Sequence, residues 1–464
     1  MFAVLVHTIS PRIHYIIREL LERRHGFAVD VFEDETLYTS STKSIKIQYL
    51  KEKNKNLPGF FIQQGSFLNE KGVNQFFSPK VGSINLNDEQ RQELLHNLPE
   101  WKLLSKEEQI RINDFLEEPF PILFPTEDDL GFDIFSMSFW FLSRYEEYQN
   151  FPADDYGRFH YHHSIFGQDH LDPAPWVDIA LYVFLSSLGV PLSSYWKFNV
   201  AATVDVDMVF RFRKKGLIRS LGGLLKKPQF ILDRIKSVFS KYDDFSPTKT
   251  IIPFFKKIAH PGLITRVFVL SSTKKDPINK QVYIDNGSVK NQLKELLPHT
   301  EVCLHPSFSD YPNEDWPREK LWLEGIIGER STKARLHYVR LLFPDTYTVY
   351  EDLKIKEDWS MGYAEHIGFR AGTSYPFMWY NLIKEKETDL QIYPFHVMDV
   401  TCKNYMHASA KSSIAIGNEL KEIIKLFGGT FCFIVHNESL SEKEGWNGWR
   451  QVFESWSNPN IIDP

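Results

Sequence analysis

The chain is poor in cysteine, in long apolar runs and in excess positive charge. Cysteine occurs three times in 464 residues, at 303, 402 and 432. There is no Cys-x-x-Cys pair and no even set. That excludes a cysteine-built zinc finger and a disulfide scaffold, and it suits a reducing compartment. The longest apolar stretch, about residues 176–192, carries Asp178 and is bordered by Pro175 and Pro191. It is too broken to span a bilayer. Lys and Arg total 54 against 60 Asp and Glu, a net charge of -6. Nucleic acid is therefore not an expected partner. The start, MFAVLVHTISPR, has five apolar residues and no basic residue ahead of them. It reads as a first strand, not a signal peptide. A soluble, cytoplasmic protein is the expectation.

Aromatic residues, by contrast, make up 15% of the chain and charged residues 25%. This is the composition of a folded chain, long enough for two or three domains. The first half reads as α/β. Phe2–Val6, 27–32, Ile45–Leu50 and 60–64 are predicted strands, and 12–24 a predicted helix. The run 133–148 (DIFSMSFWFLSRYEEY) predicts one long helix whose Phe135, Met137, Trp140 and Phe141 are core. His160, His162, His163 and His170 are irregularly spaced, and a polar loop is the expectation there. Pro191–Lys197 reads as a linker. The predicted domains are thus 1–195, an α/β accessory domain, and 196–464.

The second half alternates strand and helix. Predicted strands are 199–206, 265–270, Glu301–His305, 334–341, 366–370, 393–398 and 430–436. Parallel strands with crossover helices follow from this pattern. A β/α barrel, complete or incomplete, is the expected architecture, with an open doubly wound sheet as the alternative. Chemistry-bearing residues gather at the strand ends. Asp205 and Asp207 share one strand face at the end of Ala-Ala-Thr-Val-Asp-Val-Asp. His305, Arg370, Asp399 and His436 end or follow other strands. Arg335 and His337 alternate onto one face of another. In a parallel barrel these ends meet at one mouth. Asp and His are ligands for zinc or a similar divalent ion. A free carboxylate as base and an imidazole as acid would complete a site for amide or ester hydrolysis.

These residues resemble the polysaccharide deacetylases, carbohydrate esterase family 4, over roughly residues 198–440. TVDVD at 203–207 is similar to that family's first motif. The resemblance makes Asp205 the general base and Asp207 a metal ligand. His305 in LHPSFSDY resembles the first histidine of a His-x-x-x-His metal motif, and HNES at 436–439 the last motif, with His436 the proton donor. For the arginine that orients the base there are two candidates, Arg335 in ARLHYVRL and Arg370 in GFRAGTSYPF. The first would place Asp358-Trp359-Ser360 near the family's Asp-Trp segment. Asp399 in FHVMDV is the other candidate for the aspartate that tunes the acid histidine. The resemblance implies a divalent metal, with zinc the expected ion, and removal of an N-acetyl or O-acetyl group from a saccharide or glycan precursor.

The sequence departs from the family at Ser309, where the second metal histidine would stand. His337 could supply the third ligand, a water on Ser309 could fill the place, or activity could be lost. The last option makes a glycan-binding protein on a deacetylase fold. Between the first two strands lies a basic insert, 211–242. It reads either as a solvated helical hairpin or as a lid drawing anionic, lipid-linked glycan near a membrane surface. Tyr375, Phe377 and Trp379 are predicted sugar platforms. Trp446, Trp449 and Trp456 are expected mostly to close helices onto the core. The oligomeric state is open.

Overall fold

The computed structural model describes residues 1–98, 100–171, 173–212, 240, 242–272, 278–279, 287–308 and 314–460. Ser309 and nearly all of the basic insert lie outside the described residues. The chain forms two compact units. The first comprises Met1–Phe198, Leu341–His396 and Glu419–Phe431; the second comprises Asn199–Arg340, Val397–Asn418 and Cys432–Pro464.

The first unit begins with a four-stranded parallel sheet. The apolar strand β1 (Phe2–Val6) is buried throughout. It lies between β2 (Val29–Phe32) and β3 (Ile45–Leu50), and β4 (Phe60–Gln63) extends β3. A short antiparallel pair follows, β5 (Val81–Ile84) with β6 (Phe120–Leu123). Ser10 caps the helix Pro11–Ile17 through the Ile13 amide, and a π-helical turn, Arg18–Arg23, continues it. The apolar run at 133–148 folds in two pieces, not one. The fully buried helix Ile134–Leu142 is capped by Asp133, and a 3-10 turn spans Tyr145–Tyr148. Arg144 between them sits at φ 53°. Its guanidinium is bound by Glu146, Glu147 and the Arg370 carbonyl, so buried charge pairing overrides helix propensity at this point.

The second unit holds the strands with chemistry at their ends. β7 (Phe198–Val206) pairs in parallel with β8 (Ile264–Leu270), β8 with β9 (Glu301–His305), and β9 with the two-residue β10 (Lys333–Ala334). Amphipathic helices supply the crossovers. Pro247–Ile258 buries Thr250, Ile251, Phe254, Phe255 and Ile258, one stripe at helical spacing. Gly287–Leu296 does the same with Val289, Leu293 and Leu296. Trp316–Ile327 ends at Gly328, whose φ of 79° suits a residue without a Cβ.

In the first unit, β11 (Glu357–Asp358) pairs with β13 (Lys386–Ile392), which forms a hairpin with β12 (Phe377–Asn381). Finally β14 (Val397–Met398) pairs in parallel with β15 (Gly429–His436), which neighbours β7. The protein is thus mixed α/β with a nine-stranded sheet. Among the described residues no helix is long and apolar enough to cross a membrane.

Several local expectations change. The segment 334–341 is not a strand beyond Ala334. It turns at His337–Val339, where Tyr338 takes φ 63°. Residues 366–370 are loop, and of 393–398 only Val397–Met398 pairs. The hairpin β12–β13 has no counterpart among the predicted strands. Phe377 and Trp379 are each 1% exposed, so neither is a sugar platform. Trp379 instead stacks on Phe343 and meets Tyr347 edge-on. Tyr375 is buried as well, as are Trp446, Trp449 and Trp456.

Candidate functional site

The ladder pairs Val206 with Val269, Val269 with Leu304, and Leu304 with Ala334. The next residues on β7, β9 and β10 are Asp207, His305 and Arg335. Parallel register alone therefore brings them to one level at the carboxyl ends of the strands. Past β10 the chain stays attached: the Arg335 amide donates to the Leu304 carbonyl and the His337 amide to the Pro306 carbonyl, each at 3.1 Å. Arg335 and His337 reach the site through this turn, not through strand alternation.

Asp207 is the hub. Its Oδ1 lies 3.3 Å from His305 Nε2, and its Oδ2 lies 3.4 Å from His337 Nε2 and 3.9 Å from His436 Nε2. Its side chain keeps 23% exposure while those of His305 and His337 are at 5% or less, so the cluster opens on the Asp207 side. Burial alone would raise the Asp207 carboxyl, but the surrounding imidazoles hold it well below the usual carboxylate range. His337 is lowered, chiefly by burial, against the opposing pull of Asp207.

Each imidazole is braced from behind. His305 Nδ1 lies 2.6 Å from the Arg335 carbonyl. A carbonyl only accepts, so Nδ1 carries the hydrogen and Nε2 faces Asp207. His337 Nδ1 lies 3.0 Å from Asn279 Oδ1. His436 Nδ1 lies 2.8 Å from Asp399 Oδ1. Asp399 also accepts from the His436 amide at 2.7 Å and from the Ser439 hydroxyl. Burial by itself would lower His436, but Asp399, with Asp207 and Asp205, raises it well above the ordinary imidazole value.

Asp205, two residues before the hub, is buried and accepts from Arg335 Nη1 at 2.8 Å. The guanidinium lies 4.3 Å from the Phe268 ring centre on β8. Arg335 thus braces His305 with its backbone and Asp205 with its side chain. Arg370 belongs to the other unit. There it forms a two-point pair with Glu147, at 2.9 and 2.5 Å, and donates to the Gly362 carbonyl. Asp358 is buried in the same unit, accepting from Tyr347 and Ser360. The residues 160–170 form a loop with a 3-10 turn, Tyr161–His163.

One ligand atom from each of Asp207, His305 and His337 lies within 4.8 Å of the others; among the described residues this is the group suited to a metal. Two donors bonded at ~2.0–2.1 Å to one tetrahedral ion stand about 3.3 Å apart. Both short separations here match that spacing. Nitrogen lone pairs aimed at a carboxylate also repel it unless a proton or cation lies between. By spacing and by chemistry, the three residues fit a divalent ion. Asn279 and Ser439 complete the braces. Ser439 lies inside HNES, whereas no spacing or motif marks Asn279.

Residues 2–190 match a family of unknown function (DUF7033), less than half of the chain and ending short of Asp205. No curated protein matches the chain. Among solved structures, the chain is similar to a protein from Mycobacterium smegmatis given provisionally as a polysaccharide deacetylase. The identity is 13% and the TM-score 0.36, over 55% of this chain and 82% of that one. A likeness this slight carries no argument.

Proposed function

We propose that the chain is a divalent-metal-dependent hydrolase that removes an acetyl group from a saccharide, with zinc as the ion. The observation that carries this reading is the convergence of three braced imidazoles on Asp207, with the Arg335-bound Asp205 beside them. Asp207, His305 and His337 would hold the ion, which when bound supplies a Lewis acid for activating water and polarising a carbonyl. The remaining roles fall to the chain. Asp205 takes a proton from the attacking water as its oxygen bonds to the acetyl carbon. Arg335 keeps that carboxylate aimed. When the bond from the acetyl carbon to nitrogen (or oxygen) breaks, His436 gives the leaving atom a proton from Nε2. Asp399 holds the opposite ring nitrogen. Acetate and the free amine or hydroxyl are the products. Of the two arginine candidates, Arg335 fills the orienting role, and Arg370 is structural. The 196–464 portion is read as a barrel of the deacetylase type, with 1–195 as accessory.

Metal analysis of the purified protein together with acetate release from acetylated glycans tests this. Wild type should carry about one zinc and release acetate. Asp205→Asn should keep the zinc and lose release by about 10²–10⁴-fold. Undiminished release in Asp205→Asn rejects the mechanism. Metal bound with no acetate released from any acetylated glycan, but glycan retained, points to the glycan-binding alternative that Ser309 motivates.

A further inference from the structure

Asn279 is buried, and one residue of the loop after β9 clamps its amide. The Phe308 N–H donates to Oδ1 at 3.0 Å, and Nδ2 donates to the Phe308 carbonyl at 2.5 Å. A backbone N–H cannot accept and a carbonyl cannot donate, so turning the amide over would break both bonds. The atom facing His337 Nδ1 is therefore Oδ1, an acceptor, and Nδ1 must carry the hydrogen. A neutral ring then keeps its lone pair on Nε2, the atom 3.4 Å from Asp207. Without the acceptor, the ring could move its hydrogen to Nε2 and donate it to Asp207. That tautomer has no lone pair to offer a metal at this position.

We infer that Asn279 is a positioning residue that fixes His337 as the Nδ1–H tautomer and so makes it the third metal ligand, in the role that Ser309 leaves unfilled. The inference rests on the metal-dependent reading above. His305 gets the same orientation from a backbone carbonyl, which no side-chain substitution removes. His337 gets it from a side chain, so its ligand function is separable by mutation.

The test uses the full chain, stripped with chelator and titrated with zinc alone, and nitrogen spectra of ¹⁵N-histidine-labelled apo protein, with His337 assigned through His337→Gln. Asn279→Leu removes the acceptor at similar volume. It should weaken zinc by about 10–100-fold and shift His337 toward Nε2–H. Asn279→Asp retains an acceptor and should keep Nδ1–H and zinc binding within a few-fold of wild type. Asn279→Leu that binds zinc like wild type, while His337→Gln binds weakly, overturns the inference and leaves the metal reading intact. Zinc loss without a change of tautomer assigns Asn279 a purely structural part and also overturns it. Should Asn279→Leu not fold, an Asn279→Asp protein lacking the Nδ1–H signal overturns it. Wild type that takes up no zinc removes the metal reading and this inference together.

Discussion

Two buried charge clusters in this chain are built on opposite plans. In the first unit, Arg144 and Arg370 meet Glu146 and Glu147, two cations against two anions, with direct bonds between them. Burial raises Glu146, whereas Glu147, held by both arginines, is lowered. In the second unit, three imidazoles and a second carboxylate surround Asp207, and each imidazole turns its Nε2 toward it. The first cluster is complete with its own residues and fastens the SRYEEY turn to the GFRAG loop. The second contains a group, Asp207, His305 and His337, that could hold a metal ion. Desolvated charge is thus no sign of function by itself; the mismatch between donors and acceptors is what separates a brace from a site.

Four experiments sharpen or break this contrast. The largest effect is expected at the proposed acid. His436→Gln should lower acetate release by about 10²–10⁴-fold while the urea midpoint stays near wild type; a stability loss matching the activity loss would make His436 structural. Next, Glu147→Gln leaves two buried guanidiniums short of a partner. It should destabilise the protein by about 3–5 kcal/mol in urea unfolding with zinc stoichiometry of the folded protein unchanged. Loss of zinc instead would join the two clusters functionally.

Removing the metal should matter less. Chelator-treated protein should be less stable than protein at a hundredfold Kd of zinc by about 2.7 kcal/mol, and His337→Gln should abolish most of that difference. The smallest effect concerns His25, whose ring nitrogens are buried without a hydrogen-bond partner among the described residues. Burial, helped by Arg24 and Lys197, lowers it to about 2. Below pH ~6.5 the unfolded chain binds a proton that the folded chain refuses, so stability falls as pH falls. Between pH 7 and pH 5 the loss should be about 2 kcal/mol, and His25→Phe should remove it. An unchanged pH slope in His25→Phe would place the titration elsewhere.

Much of the fold could be read directly. β1, β3, β7, β8, β9 and β15 are short runs of apolar residues, and their periodicity is local. The helix Pro247–Ile258 carries its buried stripe openly. What could not be read is where local preference loses. Arg144 breaks an apolar helix because a buried guanidinium needs its carboxylates. Phe377 and Trp379 read as sugar platforms following a strand end, yet they pair into a hairpin and are buried.

For the site, the strand-end residues Asp205, Asp207, His305 and His436 were visible because a parallel strand marks its own carboxyl end by where the apolar run stops. That much is written in one dimension. The choice of Arg335 over Arg370 as the partner of Asp205, the approach of His337 by a turn, and the bracing of its ring by Asn279 were not. Each depends on atoms from separate segments meeting at hydrogen-bond distance, a condition sensitive to fractions of an ångström that residue spacing does not encode.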